Sequence, residues 1–334
     1  MNIVLFSFRG LGDAMIMTEM LNRYANDFSN FNITIITWSK NKSVFSKLTK
    51  NHKLLYVSGP LKNKYSNFIL SCIKILKLVK KRHYDLAINF SGDFKENIYL
   101  SLVNSSRRIS PFLARGHNQN NIITQPLVRH KNDIYIPTKI ENIYKIYDYI
   151  FSLVFNLKPI DKISLEFSDA IKSIGLFPFA GQNCREWPLE NWDLLGLYLL
   201  SKGYKVYYIC LEEDKDLLSD FNSFNNGAQL FSDYSNDIFK VSEFIDFSIC
   251  LDSFSSHLAN FLRLPSITIF GSNNPALFLT NTSTPVSSDG GCVFYPCYNK
   301  PKCLNTEWQY ACITSITVSN VVSVFEAKIG LINE

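Results

Sequence analysis

The chain has no basic leader ahead of an apolar core, and no apolar run near the roughly 20 residues that a bilayer-spanning helix requires. Met1 to Phe8 reads instead as a first strand, so a cytoplasmic protein is expected. Glycine and proline are sparse, at 14 and 12 of 334 residues, and 46% of the chain is hydrophobic, the composition of a packed globular protein rather than a disordered one. There is no internal repeat and no low-complexity tract. The eight cysteines are scattered, with Cys72, Cys210 and Cys250 inside apolar segments, a pattern of reduced core thiols rather than a secreted disulfide framework. A late group, Cys292, Cys297, Cys303 and Cys312, has four, five and eight intervening residues and lacks the CxxC of a zinc knuckle. Structural thiols are expected there, with neither a bound metal nor a cofactor.

What is present points to two domains, since 334 residues exceed one ordinary core. Charge is divided between them. Residues 1–160 carry 23 Lys+Arg against 9 Asp+Glu, and residues 161–334 carry 11 against 20. A basic first half suits an anionic partner, although drift in surface composition produces the same asymmetry. No nucleic-acid partner is expected.

In the first half, strand-like runs at Ile3–Phe8, Ile33–Thr37, Leu54–Val57 and Asp85–Phe90 alternate with helical periodicity at Ala14–Phe28, Val44–Leu48 and Asn67–Arg82. A helix from Ile140 to Phe155 closes it. The rhythm restarts with strands Ser173–Pro178, Tyr204–Leu211, Gln229–Phe231, Phe247–Leu251 and Ser266–Phe270, separated by helices near Leu189–Leu200, Asp214–Phe221, Asn236–Phe244 and Ser255–Leu262. Such alternation implies two doubly wound α/β units, with the boundary near Leu157 to Lys172. The basic helix from Asn67 places Ile69, Cys72, Ile73, Leu76 and Val79 on one face, which suits covering a sheet or, less commonly, lying on a membrane.

Ligands of open parallel sheets bind beyond the carboxyl ends of the strands. Three segments fall there. Arg9-Gly10-Leu11-Gly12-Asp13 follows the first strand, and its glycines permit close backbone approach while Asp13 lies at a helix start that stabilises a carboxylate. An ordinary capping aspartate fits those residues equally well, and the third glycine of a dinucleotide fingerprint is missing. Pro178 to Pro188 carries Gly181, Arg185, Trp187 and Pro188, either a phosphate-holding turn or a plain loop with one Arg. Asp252-Ser253-Phe254-Ser255-Ser256-His257 turns from strand into helix, where free amides and hydroxyls form an anion site, or where a serine-capped helix simply buries a histidine.

In series, these segments resemble glycosyltransferase family nine, the ADP-heptose:lipopolysaccharide heptosyltransferases. Gly12-Asp13, Pro178 to Pro188, Leu251 to Ala259, and Phe270, Gly271 and Pro275 carry the resemblance. Arg185 and Glu186 stand where the family has Lys and Arg, and Phe254 and Ser255 where it has Gly and Pro. The resemblance implies a GT-B fold of two Rossmann-like domains facing across a cleft, with residues 1–160 binding the acceptor and residues 161–334 the nucleotide sugar. It also implies an inverting, metal-independent transfer with Asp13 as general base. Gly181, Arg185, Asp252, Ser253, Ser255, Ser256 and His257 would bind the donor diphosphate, ADP-heptose being favoured, and Glu212 or Glu213 the ribose. Arg9, Gly10, Gly12, Arg107, Arg108 and Arg115 are candidate contacts for an anionic glycolipid or glycan acceptor at the inner membrane surface. A nucleotide-sugar epimerase and an inactive nucleotide-sugar-binding protein are the alternatives.

Overall fold

A computed structural model of the chain describes all residues except 58–63, 91–93, 114–133, 137–141, 158–170, 233–237, 299 and 334. Arg115 lies outside the described residues, as does most of the expected domain boundary. Two compact units divide the chain, Met1–Ile160 and Asp161–Glu334.

The first unit is built on five parallel strands: β1 (Asn2–Ser7), β2 (Asn32–Trp38), β3 (Lys53–Val57), β4 (Tyr84–Asn89) and β5 (Ser105–Ile109), in the order β3-β2-β1-β4-β5. β1 is buried from Ile3 to Ser7 without polar alternation, as expected of a central strand covered on both faces. Its helices are α1 (Leu11–Arg23), the single turn α2 (Lys42–Phe45), α3 (Lys64–Val79), α4 (Phe94–Ser101) and α5 (Ile143–Phe155). A small parallel pair, β6 (Pro111–Leu113) and β7 (Ile134–Ile136), stands apart from the sheet.

α5 starts because the Asn142 side chain accepts a hydrogen bond from the Tyr144 amide, and it ends at Asn156 in the left-handed conformation. It is fastened to α1 by the Tyr24 hydroxyl on Asp148 (2.5 Å) and by stacking of Tyr24 on Phe151, 6.0 Å between ring centroids. Phe90, just past β4, stacks on both Tyr147 and Phe151 at 5.0 Å. Helix α5 is thereby fixed against α1 and the carboxyl end of β4.

α3 departs from the sequence reading. Ile75 and Val79 face the core, whereas Ile69, Leu70, Ile73 and Leu76 are all exposed, Ile69 by 62%. The apolar residues therefore divide between two faces, because the buried side follows Ser71, Ile75 and Val79 rather than Ile69, Ile73 and Leu76.

The second unit has six parallel strands: β8 (Ser173–Phe177), β9 (Lys205–Ile209), β10 (Gln229–Phe231), β11 (Phe247–Leu251), β12 (Ser266–Phe270) and β13 (Ser283–Ser287), ordered β10-β9-β8-β11-β12-β13. Every residue of β8, β11 and β12 is buried. Around them lie α6 (Leu189–Ser201), α7 (Asn222–Asn225), α8 (Phe254–Phe261), α9 (Pro275–Phe278), α10 (Ala311–Thr314) and α11 (Val318–Asn333). Trp187 and Trp192, both buried, meet edge to face at 5.3 Å at the foot of α6, and the Trp187 indole N–H bonds the Ile316 carbonyl (2.7 Å). That anchor holds the loop ending at Pro188 against the core. The expected helix over Asp214–Phe221 is a 3-10 segment, Glu212–Leu218.

Candidate functional site

In both units, the strand order reverses between the first strand and the fourth, β1 beside β4 and β8 beside β11. The crevice beyond the carboxyl ends of such a pair is the ligand position of this fold class.

In the first unit, Gly10 caps α1 without a side-chain hydrogen bond, and a Cβ there would meet nothing within 4 Å, so the turn is open to a ligand. Asp13 follows in the first helical turn, where the amide ends favour negative charge. Arg9 Nη1 stands 3.7 Å from Asp13 Oδ1, with the side chains 42% and 27% exposed. Lost hydration raises the Asp13 pKa above the ordinary carboxylate value, and Arg9 opposes the rise by charge and hydrogen bonding. The carboxylate is thus more basic than a free aspartate.

Two groups near Asp13 were not anticipated from sequence. Tyr147 on α5 is buried, and its phenol pKa is pushed well above the usual value by burial, with the Asp13 charge adding to it and Glu96 contributing more weakly. Glu96, in the first turn of α4, is itself buried. Neither residue sits in a motif, and only the docking of α5 on α1 and of α4 beside β4 brings them here. Behind them, Asn89 donates to Asn97 (2.8 Å) and Ser110 donates to the same Asn97 oxygen (2.7 Å), a buried amide network at the end of β4.

Of the other expected acceptor contacts, Gly12 lies within the first turn of α1 beside Asp13 and Arg107 is exposed on the edge strand β5. Arg108 is otherwise engaged. Its Nη2 donates to the Val103 carbonyl (2.5 Å) and its Nε to Leu100 (3.3 Å), which satisfies the carboxyl end of α4.

In the second unit, the loop after β8 and the start of α8 converge. Arg185 Nη1 donates to the Asp252 backbone carbonyl (2.8 Å), and Arg185 Nε is buried with no protein partner. Asp252 is 2% exposed and accepts from the Asn273 amide; burial raises its pKa, and Asn273 and Arg185 counteract the rise. His257, in the first turn and a half of α8, is held neutral: burial, and then the Arg185 charge, lower its pKa to about 4. Gly271 is required by this convergence, since a Cβ on it would lie 2.5 Å from the Cys184 carbonyl. Ser272 then meets Cys184 through its backbone amide (3.2 Å).

The serines serve partly as caps. Ser253 Oγ accepts from the Ser255 amide (3.4 Å) and lies 2.8 Å from Ser255 Oγ, while Ser256 Oγ donates to the Ser253 carbonyl (2.9 Å). Gly181 faces open space, since a Cβ on it would meet nothing within 4 Å. Glu212 and Glu213 begin the turn after β9. Both are exposed, and Glu212 is engaged by Lys215 and by Ser232 (2.5 Å). Asn273 is the residue that sequence reasoning missed, although it lies inside the Phe270 to Pro275 stretch.

All eight cysteines are free thiols. Cys184, Cys292, Cys297, Cys303 and Cys312 lie close enough for their charges to interact, and burial pushes the Cys312 thiol up to about 12. Among the described residues, no group of three or more His, Cys, Asp or Glu side chains is arranged to hold a metal ion, and no helix is long and apolar enough to cross a membrane.

Residues 155–312, which include the Arg185 loop and the start of α8, match the model of glycosyltransferase family 9 (heptosyltransferase). The matched stretch spans just under half of the chain. No curated protein sequence matches the chain. Solved structures agree in fold. The Escherichia coli heptosyltransferase WaaC with ADP superposes with a TM-score of 0.70 at 13% identity, covering 98% of this chain and 99% of that one. A family 9 glycosyltransferase from Veillonella parvula gives 0.71 at 15% identity, with 98% and 97% covered. The E. coli ADP-heptose lipopolysaccharide heptosyltransferase II gives 0.67 at 13% identity over 100% of both. The chain therefore has the GT-B fold, each of its units a parallel α/β sheet, and carries a glycosyltransferase family 9 stretch.

Proposed function

We propose that the chain transfers a heptose or related sugar, with inversion, from an ADP-linked donor to an anionic cell-surface glycan such as a lipopolysaccharide precursor. The carrying observation is Asp13: a carboxylate in the open turn after β1, its basicity raised by burial and moderated by Arg9. As the acceptor hydroxyl oxygen attacks the anomeric carbon, the bond from that carbon to the diphosphate oxygen breaks and Asp13 takes the hydroxyl proton. General-base assistance of this kind contributes roughly 10²- to 10⁴-fold.

The leaving diphosphate is assigned to the second unit, residues 161–334. There Arg185 and the amides at the start of α8 supply positive charge, so the departure needs no metal ion. His257 is neutral at physiological pH and serves as a hydrogen-bonding group, not a cation. Ser253, Ser255 and Ser256 shape the turn, and Glu212 or Glu213, at the carboxyl end of β9, takes the ribose hydroxyls. WaaC, the similar E. coli protein, is solved with ADP and with ADP-2-deoxy-2-fluoro heptose, which supports the choice of nucleotide and sugar.

The first unit, residues 1–160, would take the acceptor, with Arg9, Gly10 and Gly12 at the catalytic turn and Arg107 as an outer cation; Arg115, outside the described residues, is a further candidate contact. Helix α3 supports a peripheral contact with the inner, cytoplasmic membrane surface. Its exposed Ile69, Leu70, Ile73 and Leu76 lie among exposed Lys74 and Lys77, an apolar stripe with a basic margin suited to anionic lipid.

Incubating the chain with ADP-heptose and a heptose-free lipopolysaccharide core tests the proposal. Sugar transfer with inverted anomeric configuration, undiminished by a chelator and abolished by Asp13→Asn with donor affinity retained, is the expected result. Turnover by Asp13→Asn, or sugar-nucleotide isomerisation without acceptor, defeats it.

A further inference from the structure

A cavity of about 470 Å³ opens at the amino ends of the first unit's strands, lined by Asn2, Asn32, Lys53, Arg82, His83 and Tyr84 among others. Its volume is within the range of small-molecule sites, about 300–1,000 Å³. It lies at the opposite end of the sheet from Asp13, roughly 20 Å away along the six residues of β1. None of the residues of the turn that carries Asp13 lines it.

Three observations give the cavity a chemistry. First, all of its lining residues but Asn2 come from an acid-free run: between Asp27 and Asp85 the chain has no Asp or Glu and twelve Lys+Arg. Asp85 itself is occupied, accepting from the Asn2 amide at 2.6 Å. Second, Arg82 Nη1 is buried without a hydrogen-bond partner in the protein. A guanidinium so placed is short of an anion, since buried cations are ordinarily paired. Third, Tyr84 is 3% exposed and its hydroxyl is also unpartnered. Buried hydroxyls ordinarily have partners, and both Arg82 and Tyr84 are lining residues of the cavity.

Around these lie three amides and a hydroxyl, from Asn2, Asn32, Asn51 and Thr34, with Phe31 and Ile33 as the apolar part of the wall. Asn32 already bonds Asn2 (3.1 Å), and His83 is held by Ser106 (2.9 Å), so the lining is ordered in advance of a ligand. Two cations beside paired amides and an aromatic surface match a ligand that carries both a phosphate and several hydroxyls.

We propose that this cavity is a binding site for a phosphate-bearing saccharide, separate from the donor and acceptor positions. Lys53 and Arg82 hold the phosphate, the Tyr84 hydroxyl donates to it, and the asparagines meet the sugar hydroxyls.

Calorimetric titration of the full chain tests this with glucose 6-phosphate, glucose and inorganic phosphate at matched ionic strength and with saturating ADP present. Glucose 6-phosphate is expected to bind one site per chain, glucose not at all and phosphate at least tenfold more weakly, with Arg82→Ala weakening the sugar phosphate at least tenfold. If Arg82→Ala does not fold, the exposed Lys53→Ala carries the same expectation. No saturable heat overturns the proposal, as does unchanged affinity in the folded variant or loss of binding when ADP is added. Equal affinity for phosphate and sugar phosphate overturns the saccharide assignment.

Discussion

Replacing Arg9 by Gln tests whether Asp13 is a tuned base or an ordinary helix-end aspartate. The two charges are 3.7 Å apart, and both side chains reach solvent, Arg9 by 42%. At that separation, the attraction is about 1 kcal/mol in water and about 4 kcal/mol at an effective dielectric of 20. Exposure this large argues for the lower figure. About 1 kcal/mol is roughly 0.7 pH unit, so the Asp13 carboxyl in Arg9→Gln should titrate about 0.5–1 unit higher than in the parent. A ¹³C-detected titration of the aspartate carboxyl carbons, with Asp13→Asn identifying the resonance, reads this without any substrate. Once turnover is measurable, the acidic limb of kcat/KM should move upward by the same amount. A midpoint that stays put or falls would refute the tuning.

Stability supplies an independent check on the same residue. Burial raises the folded-state pKa of Asp13 above its unfolded value, so its contribution to stability is present below the unfolded pKa and is lost as pH rises through the folded one. At neutral pH the ionised carboxylate is a net cost, and Asp13→Asn should melt no lower than the parent. An aspartate kept only for the helix dipole would instead lose about 0.3–1 kcal/mol.

Other expectations concern the second unit and the distal cavity. His257 is depressed to about 4, so stability should fall by roughly 2–3 kcal/mol as pH drops from 6.5 towards 4, and His257→Gln should remove that dependence in urea melts at the two pH values. Gly271→Ala drives a methyl towards the Cys184 carbonyl at 2.5 Å, which should cost roughly 1–3 kcal/mol in thermal unfolding and weaken nucleotide binding through the displaced Arg185 loop. Tyr84→Phe deletes an unpartnered buried hydroxyl and should leave the ligand-free chain as stable or up to about 1 kcal/mol more stable, while weakening sugar phosphate in the titration.

Much of the scaffold was legible because parallel sheets write themselves in continuous apolar runs. Phe247–Leu251 and Ser266–Phe270, read from sequence as strands, are β11 and β12 to the residue. The unread strands are edge strands with little hydrophobic signal. β5 is Ser-Ser-Arg-Arg-Ile, and β13 carries Pro285, which an edge tolerates and a periodicity argument discounts. The division of α3 between a buried and an exposed apolar face was equally invisible, because periodicity reports a stripe and not which stripe the sheet covers.

By itself, the sequence determined that two α/β units exist, that their charges are opposite, and that Asp13, Arg185 and Asp252 to His257 fall at strand ends. Local periodicity and motif spacing suffice for that. Only the tertiary structure decided which strand ends adjoin, because sheet order depends on how crossovers pack and not on any one segment. It placed β1 beside β4 and β8 beside β11, brought Tyr147 to Asp13 and Asn273 to Asp252, and assembled a cationic cavity from residues scattered between Asn2 and Tyr84. Burial then set the proton affinities of Asp13 and His257, since desolvation is a property of the surroundings and not of the residue.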